Sequence, residues 1–242
     1  MSKLNIQDVT DYVEKNIGSF HSARIQALSE LGLSKILQRK NPYLFKAKNI
    51  LTSEALVTTL LDAHLSSQEE TMFGKFLEEL AIYICEKVYK GKKSAAEGVD
   101  LEFAKGNVKY IVSIKSGPNW GNSSQIARMI DNFKRAKRIL GTNTSKTNIV
   151  SVNGCCYGKE NQPDKGDYMK YCGQEFWEFI SGNPDLYIDI VEPLGHKAKE
   201  KNEEFQKAYA QIINIFTSEF SKDFCTKGHI NWEKIVELNS KK

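Results

Sequence analysis

The sequence has no CxxC pair, no Pro/Gly/Ser-rich stretch, and no apolar run approaching the roughly 20 residues that cross a bilayer. Its five cysteines (Cys85, Cys155, Cys156, Cys172, Cys225) are odd in number, and two of them adjoin in an apolar segment. Reduced core thiols explain that set better than disulfides or a zinc centre. The four histidines are scattered without metal-ligand spacing, so surface or packing roles are expected for them. The opening MSKLNIQDVTDYVEKNIGSF lacks the apolar core of a secretory signal, and the expectation is a cytoplasmic protein with no membrane partner. With no linker, repeat or low-complexity tract, the 242 residues are expected to form one domain. Its parts are a helical region 1–68, a core 69–157 and a mostly helical region 158–242. A chain that is 40% hydrophobic and 26% charged is neither disordered nor fibrous. Its net charge of +4 permits a polyanionic partner without requiring one.

Apolar residues recur at three- and four-residue intervals from Val9 to Leu31, which predicts helix, with Gly18 and Gly32 as interruptions. The segment RKNPYLFKAKNI breaks the pattern at Pro42. Ser53 then N-caps a new helix, and a further helix carries Phe73, Phe76, Leu77, Leu80, Ile84 and Val88 on one stripe. Beyond Lys90 the period drops from 3.6 to 2. Val99, Leu101 and Phe103 alternate with Asp100 and Glu102, a turn follows at 105–107, and Val108–Lys115 alternates again. This predicts a hairpin in which Ile111, Ser113 and Lys115 share one face. After a loop at 116–124, a helix should bury Ile126, Met129, Ile130, Phe133 and Leu140. A strand is expected at 147–157, then helices near 174–180, 197–220 and 232–238, with 184 onward either strand or helix.

Asp100 and Ser113-Ile114-Lys115 form the sharpest feature, because a carboxylate and an ammonium face each other on adjacent strands. A cross-strand salt bridge at a solvated edge accounts for this plainly. The functional alternative is a phosphodiester site, where a carboxylate holds Mg²⁺ and a lysine activates water and offsets charge on the phosphorane.

The spacing G-V-D-L-E-F, then S-I-K with Ser113 thirteen positions after Asp100, resembles the PD-(D/E)xK nucleases. The order of elements over 69–157 matches that superfamily's core. More closely, NPYLFKAKNI (41–50) and KSGPNWGNSSQ (115–125) resemble type II restriction endonucleases that cut purine-GG-N-CC-pyrimidine palindromes, over about residues 20–160. The resemblance implies an α/β, restriction-endonuclease-like fold: a mixed β-sheet flanked by helices, with helical N- and C-terminal extensions. It also implies Mg²⁺-dependent hydrolysis of double-stranded DNA to a 5′-phosphate and 3′-hydroxyl by a homodimer. Asp100 and the Ile114 carbonyl would be metal ligands, and Lys115 would activate water. One position departs from the pattern: Ser113 stands where the second acid is expected. A substitute acid is therefore sought, with Glu78 first and Glu79 and Glu102 behind it. For Glu78 the plain alternative is a surface residue or an i,i+4 partner.

The loop and helix after Lys115 suit DNA. Asn119, Asn122, Ser123, Ser124 and Gln125 offer donors and acceptors at a helix start, and Trp120 either stacks on bases or packs on the sheet edge. Arg128, Lys134, Arg135 and Arg138 would hold phosphates, unless they simply form a solvated helix face. Residues 122–146 contain six basic side chains against Asp131 alone, so the whole-chain excess is localised there. A structure-specific repair nuclease, and a DNA-binding protein whose nuclease site has decayed at Ser113, are the competing functions.

Overall fold

The computed structural model describes residues 3–141 and 148–241; Lys146 lies outside them. In chain order the elements are α1 (Ile6–Ser29), α2 (Leu33–Gln38), α3 (Pro42–Ala47), α4 (Ser53–Tyr89), β1 (Lys92–Lys93), β2 (Leu101–Lys105), β3 (Val108–Lys115) and α5 (Ser123–Gly141). Then follow β4 (Asn148–Cys155), β5 (Met169–Cys172), α6 (Gln174–Ser181), α7 (Leu186–Asp189), α8 (Val191–Leu194), α9 (Ala198–Phe224), β6 (Cys225–Thr226), β7 (His229–Ile230) and α10 (Trp232–Ser240). Strands β1 to β5 make one mixed sheet in sequence order, antiparallel through β3 and parallel from β3 to β5. The short β6–β7 ribbon is separate. This is the mixed sheet with flanking helices and helical termini that the sequence predicts.

The chain divides into two compact units, Met1–Ile17 with Phe73–His196, and Gly18–Met72 with Lys197–Lys242. Of the three divisions, two fall inside helices α1 and α4 and the third in the turn between α8 and α9. The first unit draws on all three of the expected segments, 1–68, 69–157 and 158–242.

In the first unit, β2 and β3 form the expected hairpin, with Leu101 opposite Val112 and Glu102 opposite Ile111. Parallel strands need a crossover, and α5 supplies it between β3 and β4. Its buried face, with Met129, Phe133 and Ala136, packs with Val99 and Ile111 in one cluster. Ile126, Ile130 and Leu140, expected inward, are only half-buried, because Asn132 and Ala136 occupy the inner line of that helix. Val99 also departs from expectation. Its N–H bonds Ala96 O in a turn, so it joins the α5 cluster with Ile111 instead of alternating with Leu101 and Phe103. Phe103 stacks between Tyr89 and Tyr110, with ring centroids 5.3 Å away on each side.

The second unit has its own core, in which Leu28, Ile36, Leu56, Leu61, Phe220 and Ile235 are buried together. Here Pro42 starts a helix instead of only breaking one. It occupies the first turn of α3, and Asn41 Oδ1 accepts from the Tyr43 and Leu44 amides at 3.0 and 3.4 Å.

The helices predicted from Ser53 and around Phe73 are one continuous α4 of 37 residues. Likewise α1 runs through Gly18. A glycine inside a helix costs about 1 kcal/mol, less than the burial of Val13 and Ile17 beside it returns. The run after Pro184 is helical, as α7 and α8. Strands β1 and β5, of two and four residues, are too short to show a period of two.

Candidate active site

Asp100 sits one residue before β2 and is tied twice to β3. Its N–H donates to Val112 O at 2.8 Å, and its Oδ2 accepts the Ile114 N–H at 2.7 Å. Within an extended strand a residue's N–H and C=O face the same neighbour, so the Ile114 carbonyl is turned toward Asp100 as well. Ser113 is 2% exposed and pairs across the sheet with Asn153 of β4, whose Nδ2 donates to Ser113 O at 3.1 Å. Lys115 ends β3, with its ammonium 5.2 Å from the centroid of the Trp120 ring.

Glu78 reaches this corner from α4. Its Oε1 lies 3.5 Å from Lys93 Nζ. Burial and then the negative charge of Asp100 push its carboxyl above the ordinary range, while Lys93 and Lys115 pull the other way. Burial first, and Glu78 second, also push the Cys156 thiol up to about 12. The sequence-predicted residues Asp100, Ser113, Ile114, Lys115 and Glu78 therefore share one end of the sheet. The other acids are engaged elsewhere. Glu79 is half exposed beside Lys75 at 3.9 Å. Glu102, with its side chain 9% exposed, lies 3.1 Å from both Lys92 and Lys109. Burial pushes its carboxyl up, but the bonds from the two lysines outweigh this and hold it below the usual range.

Among the described residues no group of three or more His, Cys, Asp and Glu is placed to hold a metal. The set at this corner is instead two carboxylates and a backbone carbonyl, all hard oxygen donors. Such donors suit a small divalent cation that keeps several of its waters.

The family model described as type II restriction endonuclease EcoO109I matches residues 7–202. The chain belongs to that family. It is a type II site-specific deoxyribonuclease with the restriction-endonuclease-like fold. No curated protein matches the chain, and among the described residues no helix is long and apolar enough to cross a membrane.

In this restriction enzyme the loop after Lys115 is firmly held. Lys170 Nζ donates to Pro118 O at 3.1 Å, and Glu160 pairs with both Lys170 and Lys165. Gly117 lies so close to Tyr157 that a Cβ would stand 2.3 Å from its ring. Asn119 is exposed at the loop tip. Asn122 and Gln125 cap α5 reciprocally: Asn122 Oδ1 accepts from Gln125 N, and Gln125 Oε1 accepts from Asn122 N, both at 3.0 Å. Ser124 Oγ also donates to Asn122 Oδ1, and Ser123 and Ser124 are exposed in the first turn. Trp120 is half-buried against the α5 cluster, and its Nε1 donates to Asn153 Oδ1 at 3.1 Å.

On the outer side of α5, Arg128 lies 3.3 Å and Arg135 4.0 Å from Glu97, and Lys134 is 3.4 Å from Asp167. These exposed pairs are weak in water and exchange readily for phosphate. Arg138 is exposed on the same helix. Asn153 and Lys93 are site neighbours that sequence reasoning missed. The one signal for Asn153 was an amide inside the apolar run of β4, since a buried polar group needs partners.

Proposed function

We propose that this enzyme hydrolyses one phosphodiester in each strand of a palindromic duplex, of the purine-GG-N-CC-pyrimidine class, with Mg²⁺ as cofactor. The observation that carries the reading is the convergence of Asp100 and Lys115 on the Glu78 carboxyl. A carboxyl pushed up first by burial and then by a second carboxylate marks a place where a cation would relieve both desolvation and repulsion. Asp100, Glu78 and the Ile114 carbonyl would hold the metal, with Glu78 replacing the acid missing at Ser113. The bound ion would supply Lewis-acid stabilisation of the phosphoryl oxygens and a more acidic water. Lys115 orients the attacking water and offsets charge growing on the non-bridging oxygens. Ser113, buried between strands, contributes position and not charge. Asn119, Ser123 and Ser124 face DNA from the α5 start, with Asn122 and Gln125 shaping that turn. Arg128, Lys134, Arg135 and Arg138 grip phosphates. A palindrome cut on both strands calls for two sites related by a two-fold axis, hence a homodimer, acting in the cytoplasm.

Incubating the protein with plasmid tests this. Discrete fragments that require Mg²⁺ and vanish with EDTA are expected, with ends mapping to one palindrome, and Lys115→Ala should be inactive. Smearing or structure-dependent nicking would favour a repair nuclease. Binding without cleavage, even with Mn²⁺, would favour a decayed site.

A further inference from the structure

Lys115 is the last residue of its strand, and an ammonium on a four-carbon stem sweeps a wide arc unless something restrains it. The structure provides the restraint. The Trp120 ring lies 5.2 Å from the Lys115 ammonium, within cation–π range. The ring is itself held, because its N–H donates to Asn153 Oδ1 at 3.1 Å. Asn153 is 1% exposed and donates its amide hydrogen to Ser113 O, two residues before Lys115 on the same strand. One buried amide thus ties the loop carrying the indole to the strand carrying the lysine. The loop cannot drift away, because Lys170 holds Pro118 O and Gly117 abuts Tyr157.

We infer that Trp120 and Asn153 are positioning residues for Lys115: Asn153 sets the indole plane, and the indole confines the ammonium at the corner shared with Asp100 and Glu78. The inference rests on the catalytic place proposed for Lys115 and adds what holds it there. It also assigns Trp120 a task other than base stacking. An indole packed on the α5 cluster, with its N–H committed to a buried amide and an ammonium against its ring, is part of the enzyme's frame.

The test uses the full chain and a duplex carrying its mapped cleavage site. Kd is measured in EDTA and the single-turnover cleavage rate in Mg²⁺. Trp120→Ala should slow cleavage about tenfold, the scale of one cation–π contact in a partly desolvated site. Its Kd should stay within about twofold. Trp120→Phe keeps a ring without the N–H and should recover part of the rate. Asn153→Ala, which also removes the bond to Ser113 O, should slow cleavage at least as much as Trp120→Phe does, and W120F/N153A should be no slower than N153A alone, because the indole–amide hydrogen bond is already lost in N153A.

Where Trp120→Ala unfolds, the W120F and N153A cycle carries the test, with thermal unfolding as the control. A Trp120→Ala enzyme with a tenfold weaker Kd and an unchanged rate would overturn the inference in favour of base stacking. Strict additivity in the cycle, or unchanged rates throughout, would also overturn it. Lys115→Ala separates the two levels. If it cleaves normally, the active-site reading fails; if it is inactive while the Trp120 and Asn153 variants cleave normally, only the positioning inference fails.

Discussion

Asp100 accepts the Ile114 amide hydrogen on Oδ2 at 2.7 Å, so the carboxylate leading into β2 is fastened to the strand that ends in Lys115. Asp100→Asn keeps an oxygen for that amide but removes the charge a cation needs. Cleavage should fall about a thousandfold, as for loss of a principal electrostatic group. The melting temperature without metal should stay within a few degrees. Single-turnover assays with differential scanning calorimetry check both halves.

Glu78 gives a pH signature whose sign follows from its raised carboxyl. In the folded protein it holds its proton to a higher pH than in the unfolded chain. Across that window the native state binds more protons, so rising pH costs stability. The penalty is fully present above the raised value and absent below the ordinary carboxylate range. Glu78→Gln should therefore melt higher than the native protein at neutral pH in EDTA, and the difference should close as pH falls toward about 4. Adding Mg²⁺ should raise the melting temperature of the native protein more than that of the variant. Melting curves from pH 4 to 8, taken as differences between the two proteins, settle the sign.

Gly98 precedes the site by two residues with φ of 72°, and a Cβ there would stand 2.0 Å from Asn132 Nδ2. Asn132 is buried on the inner face of α5 and has little room to yield. Gly98→Ala should cost about 2 kcal/mol, or about 4–8 °C in a chain of this size. Cleavage should drop with it, since the turn that delivers Asp100 would shift. Urea unfolding and cleavage rate are the paired measurements.

The basic face of α5 predicts salt behaviour. Arg128→Ala and Arg138→Ala should each weaken DNA binding uniformly across sequences, and each should reduce the slope of log K against log salt by about 1. Glu97→Gln, which removes the acid shared by Arg128 and Arg135, should tighten binding. Fluorescence anisotropy over a salt series reads all three.

The hairpin and the meeting of Asp100 with Ser113-Ile114-Lys115 were legible in the sequence, because alternation and a tight turn are local; the register, which pairs Lys105 with Val108 across a two-residue turn, came from the structure. So were the crossover helix, its cationic side and the family resemblance. Asn122 and Gln125 were legible as a helix start, but not as a reciprocal cap that uses their oxygens. Glu78 was nominated from its place beside an apolar stripe, and nothing local could say which charges it would meet. Asn153 was passed over because its partners, Ser113 and Trp120, lie 40 and 33 positions away.

Covalent geometry alone settles which strand residues share a face, since successive side chains must alternate, and that places Lys115 with Ser113 and Asp100 with Glu102. Whether those faces become a site depends on how α4 and β4 pack, and packing is governed by burial summed over residues far apart in the chain. That summed burial brings Glu78 under the influence of Asp100. It also seats Asn153 between Ser113 and Trp120, and assigns residues 18–72 and 197–242 to a unit of their own. Strand alternation carries no information about such distances, so the charges that surround Glu78 emerged only from the folded chain.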